Sequence, residues 1–237
     1  MIAAAAICPC PPLLASELTG QAEVLPELSA ACATAVKRLI AAAPDTVVVV
    51  GPDSQTAARD PRGRFDLAAY APRLGTGDGR GAGVLLPLSL GIGARLLDQA
   101  GYTGQRALHG IGALAAPDVC LDLGHQIAAS APRVGLLAMG DGTARRSVSA
   151  PGYLDERAAP FDAAVERAVG DADLTALAAL DPELAADLMA GGRSAWQVLA
   201  GALAAGQPDG RLSTEILYAD APLGVAYLVA TLIPGAR

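Results

Sequence analysis

The side chains of this chain best suited to chemistry gather where apolar runs end. Cys10 follows Ile2–Ile7 within Cys8-Pro9-Cys10-Pro11-Pro12, and Asp53 and Ser54 follow Thr46–Val50 within Gly51-Pro52-Asp53-Ser54. Asp141, Arg145 and Arg146 follow Val134–Met139, and Tyr153 comes shortly after in Pro151-Gly152-Tyr153-Leu154. Glu215 stands apart, inside a late run at Thr214-Glu215-Ile216. A thiol and carboxylates of this kind offer two chemistries. Cys10 as thiolate, with Asp53 and Glu215, makes a candidate set for Zn²⁺ or Fe; Cys10, Asp141 and Arg145 make a candidate catalytic set. Asp53, Ser54, Arg145, Arg146 and Tyr153 are candidate ligand-binding residues. Two adjacent guanidinium groups either clamp a carboxylate or phosphate, or pair with Asp155 or Glu156 at a solvated helix start. Ser54 as a nucleophile needs a base, and the chain has only two histidines, His109 and His125. Neither lies in these loops, and no histidine stands at i+3 or i+4 from another. There is no G-x-S-x-G elbow and no phosphate-cradling P-loop.

The elements that must position these residues alternate between apolar strands and amphipathic helices. Ile2–Ile7, Thr46–Val50 and Val134–Met139 read as buried strands, with Val84–Leu88 and Gln105–Ile111 as further candidates. Helices are expected over 27–43, 89–99, 118–129, 160–169, 174–180, 181–189 and 194–205. Asp181-Pro182-Glu183 supplies an N-cap acceptor, a proline at the first helical position and an acid near the positive end of the dipole. Trp196 is expected as a core anchor. Leu212–Tyr218 and Leu223–Ile233 read as an antiparallel pair. Residues 57–83, rich in Gly, Pro, Arg and Asp, read as a loop or flap. Their alternating glycines lack the dinucleotide-binding spacing. The sum is a single α/β domain over 1–237, with a mixed, largely parallel sheet and helices on both faces. In such a sheet ligands gather beyond the carboxyl ends of the strands.

The order and form of the three loops resemble those of the class III extradiol ring-cleavage dioxygenases, the superfamily of the protocatechuate 4,5-dioxygenase catalytic subunit, often called LigB-type. The resemblance implies a LigB-like fold and an Fe(II) site of two histidines and a glutamate, open to a catechol and O₂, with a further histidine as acid–base catalyst. Carried onto this sequence, the first iron histidine is replaced by Cys10, the second by Ser54 and the catalytic one by Ala144. Only the glutamate finds a counterpart, Glu215, which as a strand acid is alternatively salt-bridged to Arg145 or Arg146. Serine is a poor Fe(II) ligand and alanine neither ligates nor moves a proton. The expectation is therefore a divergent scaffold without standard ring cleavage. No cofactor is preferred, and Fe(II) or Zn enters only through the resemblance.

Composition narrows the partners. The 237 residues are 52% hydrophobic and 17% charged, with a net charge of −7 and 3% aromatic residues. Neither a basic surface nor stacking rings are available for nucleic acid, and an anionic membrane would repel the chain. The Met1–Cys8 stretch lacks the basic region of a secretory signal, so a cytoplasmic protein is expected. Four cysteines show no disulfide spacing; Cys8 and Cys10, two apart on a strand, are expected to face one side. The partner expected is a small anionic or aromatic metabolite. The alternatives are a homodimer or partner subunit docking on the Ala-rich 194–205 helix, and an enzyme of altered chemistry using Cys10 and Glu215.

Overall fold

The computed structural model describes residues 1–15, 24–63, 65, 84–206 and 211–235. Its strands are β1 (Ile2–Cys8), β2 (Thr46–Asp53), β3 (Ala57–Arg59), β4 (Gln105–Gly112), β5 (Val134–Met139), β6 (Leu212–Asp220) and β7 (Tyr227–Pro234). Its α-helices are α1 (Pro26–Ala41), α2 (Leu88–Gln99), α3 (Pro117–Ala129), α4 (Ala158–Gly170), α5 (Leu174–Ala178), α6 (Pro182–Asp187) and α7 (Arg193–Gly206). The strands form one sheet in the order β3-β4-β2-β5-β1-β7-β6. The four central strands β4, β2, β5 and β1 run parallel, while β3 and the β7-β6 hairpin close the two edges antiparallel.

Burial on both faces explains the unbroken apolar character of the central strands. Val48 and Val50 of β2 pack with Leu136 and Ala138 of β5 on the side covered by α3, α4 and α7. Val47, Val49, Leu137 and Met139 pack on the side covered by α1 and α2. Cys8 and Cys10 do lie on one side, in the α1–α2 core, and all four cysteines are buried and free. The cap expected from sequence forms, with Asp181 Oδ1 accepting from the Leu184 amide at 2.8 Å, and Asp173 Oδ1 likewise accepts from the Ala176 amide at 2.9 Å at the start of α5. Trp196 is 1% exposed and anchors the α7 core.

Four expectations are corrected. Val84–Leu88 is not a strand: Pro87 lacks an N–H for a ladder and instead precedes the first turn of α2, with Val84 and Leu85 exposed. The expected 57–83 loop begins with a strand, because Ala57–Arg59 pairs with β4 at the sheet edge; residue 64 and residues 66–83 of it lie outside the described residues. The last strand starts at Tyr227 and not Leu223, since the chain turns through Gly224 at φ 74°. The 194–205 helix offers no flat outer face: Arg193–Leu203 is buried inside the chain beneath its own neighbours.

Candidate functional site

Strand register brings one row of side chains to the carboxyl edge of the sheet. Cys8 pairs with Met139 and Val50 with Ala138. Continuing each strand by the same count sets Cys10, Asp141 and Asp53 level on neighbouring strands. Tyr227, the first residue of β7, falls beside Cys10, because Ile7 pairs antiparallel with Ala230. Two backbone bonds stitch the row. The Gly140 amide donates to Cys8 O at 3.0 Å and the Gly192 amide to Asp141 O at 2.7 Å. Gly140 must be glycine for this, since a Cβ there would stand 2.3 Å from the Gly192 Cα.

At the centre, the Cys10 amide donates to Asp141 Oδ1 at 2.7 Å. Burial pushes the Asp141 carboxyl up to about 6, against the opposing hydrogen bonds from the Cys10 amide and thiol. Burial, with the Asp141 charge adding to it, pushes the Cys10 thiol well above its ordinary value. Tyr227 is raised by burial first and then by Asp141 and Cys10. The row therefore holds one carboxyl poised to exchange a proton near neutral pH, flanked by two groups that keep theirs. A protonated, 6% exposed Cys10 is neither a good nucleophile nor a good metal ligand.

The other candidates are engaged elsewhere. Asp53 accepts from Arg59 Nε at 2.7 Å and from the Ser54 amide at 2.6 Å. Burial raises its carboxyl, but the Arg59 and Ser54 bonds outweigh that and hold it below the ordinary range. Ser54 is exposed, its hydroxyl 3.2 Å from Asp53 Oδ1. Arg145 donates from Nε to Gly152 O at 2.8 Å and pairs with Asp155 at 3.4 Å, the solvated-helix alternative. Arg146 pairs with Asp162 at 3.1 Å, whose carboxyl also accepts from the Thr143 amide and hydroxyl. Neither guanidinium forms a clamp at the row. Tyr153 is 65% exposed.

Glu215 is the clearest correction. It lies on the outermost strand β6, and Arg38 of α1 holds it bidentate at 2.5 and 3.2 Å; neither Arg145 nor Arg146 is its partner. Arg38 keeps its carboxyl below the ordinary range. Among the described residues no group of three or more His, Cys, Asp or Glu stands together, so Cys10, Asp53 and Glu215 do not assemble into a metal site. The donor chemistry agrees: Cys10 is protonated, Asp53 belongs to Arg59 and Glu215 to Arg38. An Fe(II) or Zn²⁺ centre of the kind implied by the resemblance does not fit these side chains. The histidines do not repair it. His109 is half-buried on β4 and His125 is exposed on α3.

Two important residues gave little sign in the sequence. Tyr227 reaches the row only through the β1–β7 register, which periodicity does not fix. Arg193, 1% exposed, donates to Ala113 O at 2.6 Å, Ala115 O at 2.7 Å and Gln197 Oε1 at 2.7 Å. Gln197 in turn donates to Ala178 O and Leu180 O, each at 2.9 Å. The visible signal was a charged residue opening an apolar helix with an amide at i+4. Arg193 ties the start of α7, and so Gly192 beneath Asp141, to the β4–α3 connection.

No family model matches the chain, and neither does any curated protein. A solved structure, that of an uncharacterized protein JW3007 from Escherichia coli K12, is similar over 97% of this chain and 99% of its own, at 16% identity and a TM-score of 0.46.

Proposed function

We propose that this chain is an iron-free protein on an extradiol-dioxygenase-like scaffold, one that binds a small metabolite at the carboxyl edge of its sheet without cleaving an aromatic ring. The observation that carries the reading is the Asp141 carboxyl, raised to about 6 and held by the Cys10 amide at 2.7 Å. It stands in the loop where the resemblance places acid–base chemistry, while Ala144, Ser54 and Cys10 stand where ligands and base would be. Of the metabolites considered, a hydroxylated aromatic suits the site better than an anion. Arg145 and Arg146 are already paired with Asp155 and Asp162, whereas Asp141 is an acceptor for a hydroxyl proton.

The test combines metal analysis with ligand binding. After anaerobic loading with Fe(II) or Zn²⁺ and desalting, metal content is expected well below stoichiometric, with no O₂ uptake on adding catechol. Catechol binding by calorimetry is expected, and Asp141→Asn should weaken it about tenfold, the loss of one charge-assisted hydrogen bond. Stoichiometric iron together with catechol-dependent O₂ uptake would overturn the proposal.

A further inference from the structure

Helices α3 and α7 meet backbone to backbone. A Cβ on Gly124 would stand 2.3 Å from Val198 O, and one on Gly201 would stand 2.5 Å from Leu121 O. Drawn onto α7 in this way, α3 does not close down on the sheet beneath it. A groove of about 500 Å³ is left between α3 and strands β2 and β4. Val48 and Ala107 form its sheet wall, and Leu123 and Ile127 its helix wall. His109 and Gln126 face it from opposite sides. This volume falls in the range of small-molecule sites, about 300–1,000 Å³, and Thr46, Gln105 and Ser130 share the lining with the apolar walls.

The charges select the ligand class. Asp45 is the one residue with a formal carboxylate among those described lining the groove, and its Oδ2 already accepts from the Arg133 amide at 2.9 Å. His109 is held below its ordinary value by burial and is neutral at pH 7. Among the described residues no cation lines the groove to receive an anion, and the one carboxylate there is engaged. We infer that this groove binds an uncharged, largely apolar small molecule whose single polar group hydrogen-bonds to His109 or Gln126. The site is distinct from the Cys10–Asp141 row: Ala107 belongs to the core under α3 and α7, whereas Cys10 packs in the core under α1 and α2. The inference does not rest on the proposed function.

The uncharged fluorophore N-phenyl-1-naphthylamine is the probe. Its fluorescence is expected to rise saturably on titration with the full-length protein. Ala131→Trp, at the partly buried rim outside any helix or strand, should weaken binding at least about tenfold. Ala107→Phe on the sheet wall should do the same. Asp141→Asn should leave binding unchanged, which separates this site from the carboxyl edge. Urea midpoints check that each variant is folded. A fluorescence rise that does not saturate, or one that survives both groove-filling substitutions, overturns the assignment. So does a dimer, seen by sedimentation equilibrium, that the probe dissociates, because a second copy would then be the native occupant.

Discussion

Asp141 couples its chemistry to the stability of the fold. Its pKa is raised from 3.8 to about 6 in the native state. Between those values the folded protein binds more protons than the unfolded chain, so stability falls as pH rises from about 4 to 6 and stays lower above that. The span corresponds to at most about 3 kcal/mol, reduced by the solvent contact the residue keeps. Asp141→Asn, which preserves an acceptor for the Cys10 amide, is expected to flatten this slope in urea titrations at pH 4, 5, 6 and 7. The variant should be more stable than wild type at pH 7 and not at pH 4. Arg193 works in the opposite sense. Its guanidinium satisfies two loop carbonyls and Gln197. Arg193→Leu leaves those acceptors buried without donors and should cost about 2–4 kcal/mol, read as a lower urea midpoint.

Among the helices and strands, close approach decides what is covered and what stays open. The Gly124–Gly201 crossing is one such contact. On helix propensity alone Gly201→Ala would stabilise α7 by up to about 1 kcal/mol. The new Cβ would instead meet the Leu121 backbone at 2.5 Å, so a net loss of about 1–3 kcal/mol is expected by urea unfolding, with m unchanged. The helix pattern of 118–129 and 194–205 was legible from spacing, but not which helix each would pack on. The late hairpin tells the same story. Its two strands were readable from apolar content, yet their place in the sheet was not, and that place carries Glu215 to the outer edge and Tyr227 beside β1. A Glu inside a strand looks alike in sequence whether it faces a metal or, as here, an arginine on a neighbouring helix. Among the described residues no helix is long and apolar enough to cross a membrane.

Across the whole molecule, the sequence by itself determined the α/β class, the buried parallel strands and the loops that follow them. Apolar period, proline and glycine act locally, and local signals survive without a partner. It also determined that histidine is missing from those loops, a fact of composition that no folding can reverse. The tertiary structure alone decided which polar groups meet. Cys10 found Asp141 from 131 positions away, whereas Glu215 found Arg38 across 177. Such pairings depend on strand order, register and helix docking, and these are set by the packing of the entire core. Side-chain chemistry follows from them: burial raises Asp141 to about 6, while the Arg38 partner holds Glu215 low. Two carboxylates of similar ordinary acidity thus acquire opposite roles from their surroundings.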